Sequence, residues 1–180
     1  AGMTRFADWL DDWPVWNHAL GLLQVGDGDT FTMLLWAHLL YHQMPGWWPS
    51  YEQVDILPDD HGWRQQRNGQ VVPCQVTAAL MLRAGLLWGD RDGRELSVLP
   101  AGKLLLDTLG GKVHVPPVPT GAGPAGLLLR AEDDGVAGTL RVRLCPGRDC
   151  PVVILPRGSA ASAAYLEPDG PVPAAGDEVC

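Results

Sequence analysis

The segment from Pro73 to Gly111 constrains this chain most, because every joint in it is punctuated. Pro73 suits the first turn of a helix, where a missing N–H costs nothing. Apolar residues at Val76, Ala79, Leu80, Leu82 and Leu86 then follow helical spacing. Gly85 sits where a C-cap glycine belongs. Leu86 to Trp88 reads as a strand, Asp90-Arg91-Asp92-Gly93 as a hairpin turn, and Glu95 to Leu99 as the return strand. Pro100 opens a second helix, AGKLLLDTL, which Gly110-Gly111 stops.

The rest of the chain is marked less sharply. Thr4 to Leu10 is expected to be a short helix with Thr4 as its N-cap. Pro14 suits the first turn of a helix to about Leu23, and Gly26-Asp27-Gly28-Asp29 is a turn. Thr30 or Asp29 then caps a helix to about Gln43. That helix is apolar on nearly every side, which predicts a central, buried element. Ser50 to Leu57 is expected to be a short helix ended by Pro58, with one further turn through Arg67. Residues 111–126, rich in proline and glycine, read as a linker. Beyond them, 127–132, 139–144, 152–155 and 163–167 have the period-two pattern of four short strands, and 168–180 reads as a tail.

A chain of 180 residues with 46% hydrophobic and 19% charged residues is globular and needs no cross-link to hold a core. Met3 reads as the natural start, with Ala1-Gly2 a remnant ahead of it and no signal peptide behind it. No apolar run approaches a membrane span. The four cysteines are too sparse and irregular for a secreted disulfide framework. A cytoplasmic protein is the expectation. Its net charge of −8 argues against non-specific nucleic-acid binding. Residues 1–63 hold nine acidic side chains against Arg5 alone, whereas 64–103 hold six basic against three acidic. The one net-basic stretch is therefore the punctuated one.

Residues 78–109 resemble the winged-helix segment of bacterial transcriptional regulators. Arg83-Ala84-Gly85-Leu86-Leu87, Asp90-Arg91-Asp92-Gly93-Arg94 and Leu99-Pro100-Ala101-Gly102-Lys103 carry the likeness. The resemblance implies a recognition helix from Pro73 to Ala84, with Gln75 and Thr77 facing base edges. Arg64, Arg67, Arg83, Arg91, Arg94 and Lys103 would touch phosphate, Arg91 and Arg94 from the tip of the wing. A winged helix also docks onto proteins, so a double-stranded DNA partner and a protein partner both stand. A homodimer would strengthen a weakly basic DNA module.

Other constellations carry less. His38 and His42 lie one turn apart and share a helix face, as metal ligands do, but the sequence pairs no third donor with them, so a core-edge role is expected. Asp59-Asp60-His61 has acid/base residue types, yet its place after Pro58 favours capping. Cys145 and Cys150 bracket a loop that lacks the second pair a zinc site needs, so two free thiols are expected. No phosphate loop or nucleophile motif is present, and no enzyme, metal or cofactor is expected. Most of the eight tryptophans are expected in the core, although an exposed set, with Trp9 and Trp13 among it, would mark a partner surface. The expected fold is α+β: a helical winged-helix domain (3–110), a linker (111–126), a small antiparallel β module (127–167) and the tail (168–180).

Overall fold

A computed structural model describes residues 3–6, 8–44, 50–69, 71–133, 135–143, 151–155 and 164–166. The chain is α+β and divides into two compact units, 1–85 and 86–180. No helix among the described residues is long and apolar enough to cross a membrane.

The first unit pairs a four-stranded antiparallel sheet with three helices. Its strands are β1 (Arg5–Phe6), β2 (Trp9–Asp11), β3 (Tyr51–Asp55) and β4 (Gln66–Gly69), in that spatial order. The helices are α1 (Val15–Gln24), α2 (Gly28–Tyr41) and α3 (Val72–Leu86). Two expected helices are therefore strands. Thr4 to Leu10 is a hairpin with Arg5 opposite Leu10, and Ser50 to Leu57 supplies β3, whose Val54 lies opposite Leu10. Burying Leu10 and Val54 side by side, at 5% and 1% exposure, outweighs the weak local preference for helix. The cap of α2 is Asp27, which accepts a hydrogen bond from the Thr30 N–H at 3.1 Å, and not Asp29 or Thr30. Gly85 lies inside α3 and caps nothing. The core of this unit includes Val15, Phe31, Leu34, Leu35 and Met81.

The second unit holds two sheets and one helix. Strand β5 (Leu87–Gly89), the turn through Gly93 and β6 (Glu95–Val98) form the expected hairpin, followed by α4 (Gly102–Thr108). Gly93, Gly110 and Gly111 all take positive φ, as the turn and the helix stop require. The stretch 111–126 is no linker. It forms β7 (Lys112–Thr120) and the start of β8 (Gly123–Glu132), which pair with β9 (Gly135–Val142). Prolines 116, 117 and 119 are tolerated because β7 is an edge strand, and the register shifts between Val115 and Val118. Alternation buries Ala125, Leu127, Leu129, Leu140 and Val142, and α4 packs on β7 and β8.

The remaining two strands do not simply extend that module. Strand β10 (Val152–Ile154) joins β6 in parallel, and β11 (Ala164–Leu166) joins β9 in parallel. The boundary between the units falls inside the segment expected to be one winged helix: α3 closes the first unit, and the hairpin and α4 open the second.

Candidate interaction surface

The helical spacing of α3 decides what it can present. Val72, Val76, Ala79 and Arg83 recur at i, i+4, i+7 and i+11 and form its exposed stripe, with Val72 at 71% and Val76 at 46% exposure. Thr77, expected to face bases, is 5% exposed, and its hydroxyl donates to the Pro73 carbonyl at 3.1 Å. Gln75 is half-buried. The outer face of the expected recognition helix is thus largely aliphatic.

Arg64 and Arg67, expected to meet phosphate, are held within their own unit. Arg64 lies 5.1 Å above the Tyr41 ring and donates to the Asp55 and Ile56 carbonyls. Arg67 lies 5.6 Å from the Trp9 ring centroid and reaches Asp55 Oδ1 at 3.4 Å and Gln65 Oε1 at 3.0 Å. Asp55 thus lies beside the expected phosphate contacts. Arg83 is exposed at the far end of α3.

In the second unit Arg91 and Arg94 are exposed on the hairpin turn, where Asp90 accepts the Glu95 N–H at 3.0 Å. The turn is seated on the chain between β7 and β8. A Cβ added at Gly93 would lie 2.3 Å from the Gly121 carbonyl oxygen. Lys103 pairs with Asp107 at 2.8 Å.

Helix α2 is more informative than its uniformly apolar sequence. One face buries Phe31, Leu34, Leu35 and His38, and the opposite stripe exposes Met33 (59%), Trp36 (39%) and Leu40 (72%). Spacing of i, i+3 and i+7 puts those three on one line of the helix, with exposed Asp29 at its N-terminal end. The expectation of a fully buried α2 is therefore corrected. The tryptophans are corrected with it: Trp9 and Trp16 are half-buried, and Trp13, Trp36, Trp63 and Trp88 are exposed. Trp47 and Trp48 lie outside the described residues, as do Cys145, Cys150, Cys180, Ala1-Gly2 and the tail.

Both α2 histidines are wholly buried, not at a core edge. The His42 Nδ1–H donates to the Tyr51 carbonyl at 2.7 Å, because only an N–H can satisfy that oxygen. His38 Nδ1 stands 2.9 Å from Asp12 Oδ1. The rings stack at 5.6 Å, and both Nε2 atoms are buried without a hydrogen-bond partner. Burial pushes the pKa of His42 below the usual histidine value. Burial, and next the Asp12 carboxylate, push the Cys74 thiol pKa up, so that thiol is not a poised nucleophile. Among the described residues, no three histidine, cysteine or acidic side chains are disposed to hold a metal ion. The His38–Asp12 pairing has no local signal in sequence, because 26 positions separate the partners. Asp59 caps a turn and not the expected helical turn through Arg67: its Oδ1 accepts the N–H groups of His61 (2.9 Å) and Trp63 (2.8 Å), and Gln66 and Arg67 lie in β4. Comparisons with family models, curated proteins and solved structures return no match to this chain.

Proposed function

We propose that this chain is a protein-interaction module that docks through the outer stripe of α2. The observation that carries this reading is the exposure of Met33, Trp36 and Leu40 in one line on a helix whose other face is firmly buried. Tryptophan and methionine are the apolar types that anchor interfaces, and a helix fixed by its own core loses little entropy on binding. The partner would be a helix with an apolar face edged by lysine and arginine. Charge complementarity argues for that edge. The first unit carries nine acidic against four basic side chains, and Asp8, Asp27, Asp29, Asp59 and Asp60 are all exposed.

The aliphatic outer face of α3, the buried Thr77 and the engagement of Arg64 and Arg67 support protein over DNA. Duplex DNA is the second reading, resting on exposed Arg91 and Arg94 in the hairpin turn. The test is selection from a displayed library of amphipathic helical peptides of graded charge. Basic peptides are expected to be enriched, and Met33→Ser/Leu40→Ser should weaken them roughly 30-fold, the factor expected for removing an interface anchor. Circular dichroism should be unchanged, because both side chains are exposed. Enriched peptides that bind the double variant as tightly as the parent overturn the reading. Salt-sensitive binding of a mixed duplex pool, lost in Arg91→Ala/Arg94→Ala, would replace it with DNA.

A further inference from the structure

We infer that His42, with the buried groups around it, is an acid-sensitive latch that holds the first unit closed at neutral pH and releases it on mild acidification. The groups facing it come from every element packed there. Asp11 and Asp12 come from β2 and the turn after it, His38 from α2 itself, and the Tyr51 carbonyl from β3. Cys74 of α3 faces Asp12 and is also near Glu52 of β3. Ser50 ties α3 to this region by donating to the Cys74 carbonyl at 2.6 Å.

The geometry admits one proton state of His42 easily. Its Nδ1–H is used by the Tyr51 carbonyl, so the neutral ring leaves Nε2 as a bare acceptor in a buried site. Acidification adds the proton at Nε2, where the described residues offer no acceptor, and creates a charge stacked 5.6 Å from the His38 ring. Asp11 and Asp12 attract that charge, but desolvation is the larger effect and the folded ring holds its proton less tightly than the unfolded one. The sign follows. Above the unfolded histidine value of about 6.5 neither state binds the proton, and stability is complete. Below it the unfolded chain takes up a proton that the folded unit refuses. The folding constant then falls by up to tenfold per pH unit until the folded ring itself titrates.

The consequence reaches the docking stripe, because His42 is the C-cap residue of α2, the helix that exposes Met33, Trp36 and Leu40. That consequence rests on the reading above, whereas the latch does not. The test follows urea unfolding of the full chain between pH 7.5 and 5.0 by tryptophan fluorescence. Seven of the eight tryptophans lie in residues 1–85, so the signal reports the first unit. The parent and His61→Gln, an exposed control, should lose up to roughly 30-fold in folding constant between pH 7.5 and 5.0. His42→Gln should lose less than threefold. Equal slopes in His42→Gln and the parent, or a flat parent, overturn the latch. Should His42→Gln fail to fold, the His42 imidazole in the parent is followed by NMR. A neutral ring down to the pH of unfolding supports the latch, and titration at or above the unfolded value overturns it. Peptide binding that never occurs would remove the docking reading and leave these outcomes untouched.

Discussion

Substituting Gly93 tests whether the hairpin turn is seated on the second unit or stands free of it. At Gly93 the backbone has φ +73°, and a Cβ would meet three backbone atoms: Gly121 O at 2.3 Å, Gly121 C at 2.4 Å and Ala122 N at 2.7 Å. Gly102 in the same unit has nearly the same φ, +78°, with nothing within 4 Å of its Cβ position. Alanine at either site meets the left-handed penalty of ~1–2 kcal/mol. Restriction of the unfolded chain offsets ~0.4–1 kcal/mol of that penalty. Gly102→Ala should therefore cost about 1 kcal/mol. Gly93→Ala adds an overlap that only backbone movement relieves, ~1–3 kcal/mol more, for about 2–4 kcal/mol in all. For a unit of this size each kcal/mol lowers Tm by ~4–8 °C. Calorimetry should thus show a drop of roughly 10–20 °C for Gly93→Ala and about 5 °C for Gly102→Ala. Gly121→Ala, whose Cβ would meet Asp90 O at 2.3 Å, should also lower Tm, by overlap alone. Equal costs at Gly93 and Gly102 would refute the reasoning, and the turn would then be free to reach outward with Arg91 and Arg94.

Two further predictions concern α2. Leu34→Ala removes a side chain that is 1% exposed and should cost ~2–5 kcal/mol, whereas Leu40→Ala, at 72% exposure, should stay within ~0.5 kcal/mol in urea unfolding. Similar costs at the two sites would contradict the division of the helix into buried and exposed faces. Asp27→Ala deletes the cap on the Thr30 N–H and should cost about 1 kcal/mol, with faster amide exchange confined to the first turn of α2. An Asp29→Ala variant showing the larger loss instead would restore the cap expected from sequence.

Where the sequence was legible, the signal was local. The helices from Val15, Gly28, Val72 and Gly102, and the turn at Gly93, are each marked by a proline, a cap or a glycine within a few residues. What was missed is set by pairing across the chain. Strands β2 and β3 are three and five residues long, too short to show alternation, and they exist because Leu10 meets Val54. Strand β7 was concealed by its prolines, which exclude a central strand but not an edge. The histidine spacing was visible and its chemistry was not, because Asp12 and the Tyr51 carbonyl arrive from other elements. The apolar composition of α2 implies burial on all sides, although three of its large side chains are exposed.

That last difference bears on the choice of partner. Net charge narrows the class of partner, and the placement of each charge decides which surface can meet it. The basic segment 64–103 looked like a phosphate-binding face, but Arg64, Arg67 and Lys103 each have acceptors in their own unit. A guanidinium lying over Tyr41 and donating to two backbone carbonyls must give up those contacts to reach a phosphate, so it contributes less to binding DNA than its formal charge implies. Met33 and Leu40 on the α2 stripe are 59% and 72% exposed. Their apolar surface already faces water, and covering it is favourable at roughly 25 cal/mol per Å². On this comparison the α2 stripe, rather than the basic segment, is the surface from which binding free energy is most directly obtained.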